Sequence, residues 1–150
     1  MSRSIQRIDW ESFDYILKFA QKIHSNRNEP IPVLNPANKS AVLQCLEAPF
    51  STFDGKFLYK GFKEKAAFLF YNFLKSHPLG NGNKRMACMT LGYFCIINDY
   101  LFAISENDFE NLAIRVVNSD AARYENEIKY LFKLMNKFCV RLERRNQETN

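Results

Sequence analysis

Two apolar runs on either side of a short polar loop are the strongest constraint on how this chain can fold. The first run covers residues 66–74 (AAFLFYNFL) and the second covers residues 86–97 (MACMTLGYFCII). Runs of this length and composition are typical of buried helices. The loop between them, residues 77–85, reads HPLGNGNKR. The sequence therefore predicts a polar loop held between two buried helices.

The backbone of this loop is suited to binding an anion. Pro78 disfavours helical backbone at the residue before it, so the first helix should end near Ser76. Gly80 and Gly82 permit a tight turn that exposes backbone amides. The second helix should begin around Gly82 or Asn83. Because the first N–H groups of a helix have no intrahelical partner and lie at its positive end, they favour an anion there.

The side chains of the loop point to the same chemistry. Lys84 and Arg85 supply a point charge and a planar fork that suit phosphate oxygens. Asn81 and Asn83 offer carbonyl oxygens to a metal ion and amide donors to a phosphate. His77 is a candidate general base, because imidazole is the side chain that titrates nearest neutral pH. By composition alone, an ordinary helix–loop–helix connection with solvated cations is the alternative.

The order of residues in the loop resembles the signature of the Fic/Doc family, H-x-F-x-[D/N]-[A/G]-N-K-R in its Doc (death-on-curing) form. Leu79 replaces the usual Phe. Residues 57–59 (FLY) and 64–67 (EKAA) are similar to the Doc pattern of a flap followed by E-K-A-A. The core of the resemblance covers about residues 39–118. The matching loop positions are His77, Asn81, Gly82, Asn83, Lys84 and Arg85.

The rest of the chain predicts an all-α bundle in one domain, residues 1–150. Apolar periodicity and capping residues predict helices at about 9–24, 36–47, 62–76, 83–97, 106–117 and 121–143. Between the second and third, aromatics alternate around Asp54-Gly55, which predicts a short hairpin, with an irregular loop as the alternative. The resemblance implies the same architecture, since Fic-fold proteins are compact helical bundles with a flap over the motif loop.

The resemblance also implies a reaction. The family transfers part of a nucleotide to a hydroxyl of a target protein. His77 would take the proton from a target Ser, Thr or Tyr hydroxyl, and Asn81 would stand next to Mg²⁺. The implied nucleotide- and phosphate-binding residues are Gly82, Asn83, Lys84 and Arg85. The implied flap, which would align the target segment by strand addition, is Phe53, Asp54, Gly55, Lys56 and Phe57.

Two positions favour the Doc branch of the resemblance. AMP-transferring Fic loops usually carry glycine where this chain has Lys84, and a second arginine where it has Cys88. Most Fic members move AMP from ATP, whereas Doc moves the γ-phosphate. The Doc reading implies ATP and Mg²⁺ as cofactors, a target in the translation apparatus, and a small antitoxin as partner in a toxin–antitoxin module.

Two other readings stay open, namely an AMP-transferring Fic enzyme and a degenerate, non-catalytic Fic-fold binding protein. Asn81 is neutral where a carboxylate would hold Mg²⁺ better. Leu79 changes the volume of a side chain that packs the loop into the core. The family's inhibitory pattern S/T-x-x-x-E-G/N has its nearest match at residues 25–29, followed by Pro30, and we interpret that match as accidental.

Composition excludes several other classes. The net charge of +5, from 21 basic and 16 acidic residues, suits a nucleotide or an acidic partner. The basic residues are dispersed, so we do not expect nucleic acid to be the partner. The four cysteines form no C-x-x-C pair, which disfavours zinc and fits the reduced cytoplasm. No signal peptide or membrane span is expected, because the longest apolar run has about a dozen residues.

Overall fold

The computed structural model describes residues 4–23 and 30–143, and most of them are helical. The predicted all-α bundle is confirmed. The helices are α1 (Trp10–Ile23), α2 (Pro36–Glu47), α3 (Phe62–Ser76), α4 (Asn83–Ile97), α5 (Glu106–Asn118) and α6 (Tyr124–Phe138). Single 3₁₀ turns follow α2 (Ala48–Phe50) and precede α6 (Ala121–Arg123). No helix in this described part of the chain is long and apolar enough to span a membrane.

Helices α3 and α4, the two apolar runs, form the centre of the bundle. α3 packs against α2, α4, α5 and α6. Aromatic rings of α3 contact α1, α5 and α6. Phe73 contacts Phe13 of α1 with ring centroids 6.1 Å apart, and Phe70 contacts Phe109 of α5 at 5.6 Å. Because α3 and α4 are held by this packing, the loop between them is held as well.

The predicted hairpin is confirmed as two very short strands, β1 (Thr52–Phe53) and β2 (Lys56–Phe57). Asp54 and Gly55 form the turn, and their φ angles of 56° and 77° are both left-handed. Two successive left-handed residues match the right-handed twist of the flanking strands, which explains the preference for Asp-Gly here. All four strand residues are exposed.

A second strand pair near the C-terminus was not predicted. Strand β3 (Tyr100–Phe102) pairs antiparallel with β4 (Cys139–Arg141). The last helix was expected to run to Glu143, but α6 ends at Phe138. The exposed backbone of β3 needs hydrogen-bond partners, and residues after Phe138 provide them, as in the bond from Leu142 N–H to the Asp99 carbonyl at 2.7 Å. Tertiary pairing therefore overrides helical periodicity at this end.

Two sequence-based readings concern residues outside the described ranges. They are the end of the first predicted helix at His24 and the inhibitory-motif match at residues 25–29.

Candidate functional site

The motif loop begins where α3 ends. α3 ends at Ser76, as predicted, and His77 is its C-cap with a left-handed backbone (φ 51°, ψ 54°). The His77 N–H still donates to the Phe73 carbonyl at 3.2 Å. Pro78 disfavours a right-handed helical conformation at the preceding residue, and the left-handed backbone of His77 redirects the chain away from the helix. The His77 side chain is exposed to solvent.

Asn83 closes the loop from inside. Its side chain is 3% exposed, and its Oδ1 accepts from the Leu79 N–H at 2.9 Å. Its Nδ2 donates to the Leu79 carbonyl at 2.7 Å. The sequence assigned the Asn83 amide to a phosphate, but these bonds give it a structural role. What Asn83 offers an anion is its place at the first position of α4, where backbone N–H groups lack helical partners.

A second contact ties the loop to α2. Leu79, in the position where the family has Phe, is fully buried. Next to it, the Pro78 carbonyl accepts a hydrogen bond from Asn38 Nδ2 at 3.0 Å. Asn38 and Asn35 also cap α2 reciprocally, at 2.8 Å and 3.2 Å. The N-terminus of α2 therefore anchors the motif loop.

Gly82 is required at its position for two reasons. It is the N-cap of α4 and has a left-handed backbone, with φ 82°. A Cβ added there would also lie 2.6 Å from Cγ1 of Ile31, a buried residue. Both conditions favour glycine, because side chains resist positive φ and the close approach leaves no space for a methyl group.

A cavity of about 600 Å³ opens beside the loop. Pockets of this size accommodate small-molecule ligands such as nucleotides. The loop and the first turn of α4 form one side of it. The described residues on this side are His77, Gly80, Asn81, Gly82, Asn83, Lys84 and Arg85. The structure thus brings together the candidate base, the candidate metal ligand and the candidate phosphate-binding residues around one space.

A second wall of the cavity was missed by sequence reasoning. It is formed by Glu106, Phe109, Glu110 and Ala113 of α5, with Cys88 and Met89 of α4 between the two sides. Glu106 and Glu110 are one helical turn apart and exposed. Their spacing is visible in the sequence, but nothing there indicates that this face of α5 lines the same cavity as the loop.

The two ends of the cavity carry opposite charge. Lys84, Arg85 and the N-terminus of α4 make the loop end positive. Glu106 and Glu110 make the α5 side negative. Burial and the nearby Glu110 carboxylate raise the pKa of the Cys88 thiol, which lies between the two sides, to about 12. The thiol is therefore protonated at neutral pH, and its Sγ lies 3.9 Å from the Phe109 carbonyl oxygen. A ligand with an anionic end and a hydrogen-bond-donating end suits this arrangement.

The five flap residues, Phe53 to Phe57, are not among the described residues that line the cavity. The hairpin joins α3 at the N-terminal end of that helix, whereas His77 follows its C-terminal end. Its role in aligning a target stays a prediction.

The loop offers Mg²⁺ a limited set of protein ligands. In proteins, Mg²⁺ is usually held by one or two carboxylates together with substrate phosphates and water. Asn81 is exposed and offers a neutral amide oxygen. Within residues 4–23 and 30–143, no three His, Cys, Asp or Glu side chains are grouped so as to hold a metal ion. Phosphate oxygens and water would therefore have to supply most of the coordination.

Comparison with known proteins gives one match. Residues 5–95, more than half of the chain, match the model of the Fic/DOC family. The matched segment contains the hairpin, the motif loop and most of α4. The match does not separate the Doc branch from the rest of the family. No curated protein and no solved structure matches the chain.

Proposed function

Because this chain belongs to the Fic/DOC family, we propose that it is a Doc-type transferase that moves the γ-phosphate of ATP to a Ser, Thr or Tyr hydroxyl of a target protein. The observation that carries this proposal is the cavity lined by cations on the loop side and by carboxylates on the α5 side. By the Doc resemblance, the target belongs to the translation apparatus, and a small antitoxin is the regulatory partner. ATP and such a target are both cytoplasmic.

The loop end of the cavity suits the terminal phosphates. Lys84 is exposed and Arg85 half-buried, and both line the cavity. They come directly after Gly82 and Asn83 in the chain, so their charges add to the field of the α4 N-terminus. Preorganised donors of this kind stabilise the charge that develops on a transferring phosphoryl group.

The α5 end suits the nucleoside. Glu106 and Glu110 repel phosphates but accept hydrogen bonds from ribose hydroxyls or an exocyclic amine. Phe109 and Met89 supply an apolar surface for a base. A nucleotide bound with its nucleoside at α5 presents its terminal phosphates to the loop and therefore to His77. ATP bound in this orientation would donate its γ-phosphate and not AMP.

The proposed reaction needs one base and one cluster of positive charge. His77 accepts the proton of the target hydroxyl as the hydroxyl oxygen forms a bond to the γ-phosphorus. The bond between that phosphorus and the bridging oxygen of ADP breaks, and Lys84 and Arg85 neutralise the charge left on the ADP oxygens. Asn81, together with the phosphates, would hold Mg²⁺, which would supply further neutralisation of the phosphate charge.

One observation favours a second candidate, a nucleotide-binding protein without catalysis. Asn81, which the family resemblance would place next to Mg²⁺, is neutral and exposed. A carboxylate there would bind Mg²⁺ more strongly. If this candidate is correct, the natural chain transfers nothing and Asn81→Asp gains activity.

The test uses purified protein, a target lysate, Mg²⁺ in excess, and ATP labelled on either the γ- or the α-phosphate. We expect label to enter a lysate protein from the γ-phosphate alone, and His77→Ala to abolish this transfer. Transfer from the α-phosphate would identify an AMP transferase despite Lys84. If neither label is transferred by the folded protein, the non-catalytic candidate replaces our proposal.

A further inference from the structure

A buried lysine lies beneath the hairpin. Lys65, in the first turn of α3, is 1% exposed, and burial lowers the pKa of its ammonium group. Lysine is seldom fully buried unless its charge is compensated. Within residues 4–23 and 30–143, no carboxylate forms an ion pair with it. The groups that surround the ammonium must therefore compensate for the lost water.

Those groups belong to the hairpin, to the segment that joins it to α3 and to the 3₁₀ turn that precedes it. Lys65 Nζ donates to the backbone carbonyls of Tyr59 and of Lys60, the latter at 3.3 Å. It also lies 4.1 Å from the centroid of the Phe57 ring of β2, and 5.5 Å from that of Phe50. A cation over an aromatic face is attracted to it, and more strongly away from water. One ammonium group thus connects α3 to strand β2 and to the chain that follows it.

The hairpin has few means of holding its own position. It has two residue pairs, and all four strand residues are exposed. Isolated two-stranded hairpins are marginally stable in water. Beyond the strands, Tyr59 holds the connecting segment, with its ring stacked on Phe68 at 4.1 Å and its hydroxyl 2.7 Å from that of Tyr124. The Lys65–Phe57 contact acts on the strand itself.

We propose that Lys65 is a positioning residue, which fixes the hairpin on α3 and so determines where the target segment lies. The part that concerns the target rests on the proposed function. Folding stability alone does not explain a buried charge here, because burying an ammonium group costs free energy that an apolar side chain would not. The Lys65 ammonium group binds two carbonyls and a ring in fixed directions. These contacts are explained if the reaction requires the hairpin at a defined position.

The test compares Lys65→Met, Lys65→Arg and Phe57→Leu with the natural chain. Hydrogen exchange is measured at the amides of residues 52–58 and of α4, together with ATP affinity and γ-label transfer to lysate protein. In Lys65→Met we expect exchange in the hairpin to rise about tenfold, because a local contact is lost, while α4 stays protected. Transfer falls and ATP affinity does not change. Lys65→Arg, which keeps the charge, should recover part of the hairpin protection and part of the label transfer.

Phe57→Leu keeps the proposal testable if Lys65→Met unfolds the protein. Phe57 is 44% exposed, so its replacement leaves the core intact but removes the aromatic face. We expect Phe57→Leu to raise hairpin exchange and lower label transfer, each by less than Lys65→Met does. Unchanged hairpin exchange in both variants would overturn the proposal, as would faster exchange with undiminished transfer. If the natural chain transfers no label, the proposed function fails, and hydrogen exchange still decides whether Lys65 positions the hairpin.

Discussion

Asn83 and Leu79 are joined by two reciprocal hydrogen bonds across the turn between the central helices. Asn83 Oδ1 accepts from the Leu79 N–H at 2.9 Å, and Asn83 Nδ2 donates to the Leu79 carbonyl at 2.7 Å. Both residues are buried. A side-chain amide here satisfies one donor and one acceptor of the same backbone residue. The asparagine of the motif therefore shapes the loop that presents the neighbouring cations.

The first prediction compares Asn83 with Asn81, two residues away. Asn83→Ala leaves two backbone groups of Leu79 without partners, so we expect a loss of about 2–4 kcal/mol in the free energy of unfolding. Asn81 is exposed, and Asn81→Ala should change the free energy of unfolding by less than about 0.5 kcal/mol. Urea denaturation of both variants measures the difference. Equal effects would contradict the structural role of Asn83.

The second prediction concerns Gly82 and Gly80. Gly82→Ala forces a side chain into a left-handed conformation and against Ile31, so we expect it to destabilise the protein by about 1–3 kcal/mol. A Cβ at Gly80 meets no atom within 4 Å and no positive φ is required there. Gly80→Ala should therefore leave the melting temperature nearly unchanged. A similar fall for both variants would show that the contact with Ile31 is unimportant.

The third prediction separates activity from stability at Lys84. Its exposed side chain lines the cavity, so Lys84→Met should lower the transfer rate about 100-fold while unfolding is unaffected. Lys129 is also exposed and lies on α6. Lys129→Met is the matched control and should keep full activity. Rates from γ-labelled ATP and melting curves for both variants test this, and equal rates would remove Lys84 from the mechanism.

The fourth prediction is a dependence of stability on pH. Burial and the Glu110 carboxylate raise the pKa of Cys88 from 9.0 to about 12. The folded state thus holds this proton more tightly than the unfolded state. The resulting stabilisation is present below pH 9 and is lost as the pH rises toward 12. Above pH 9, the free energy of unfolding from urea denaturation should fall more steeply with pH for the natural chain than for Cys88→Ala. The slope for Glu110→Gln should lie between these two.

The fifth prediction concerns the attachment of α5 to α6. Arg115 makes two hydrogen bonds of 3.2 Å to the Glu127 carboxylate, whose side chain is 8% exposed. Arg115→Ala leaves that carboxylate buried without its cation, and we expect a loss of about 2 kcal/mol. The pair Lys18–Asp14, whose side chains are 72% and 31% exposed, is the control, and Asp14→Ala should cost less than about 0.5 kcal/mol. Calorimetric unfolding that ranks the two alike would refute this.

Much of the site was predictable from sequence because it is local. Pro78 ends α3 at Ser76, Gly82 starts α4, and Asp54-Gly55 makes a hairpin, since each depends on the backbone preferences of a few neighbouring residues. The residues from His77 to Arg85 are close in the chain, so they are close in space whatever the rest of the fold does. Their placement around one cavity is consistent with that expectation.

Local sequence preferences are sufficient to predict the helices, the turn and the composition of the loop. Packing between distant segments brings Glu106 and Glu110 of α5 to the same cavity as the loop and buries Lys65 under the hairpin. It also makes the chain leave the helix after Phe138 to pair with β3. Periodicity shows which side of a helix is apolar, but not which partner it meets. Contacts between distant segments depend on how the helices pack, and that packing gives the cavity its second wall.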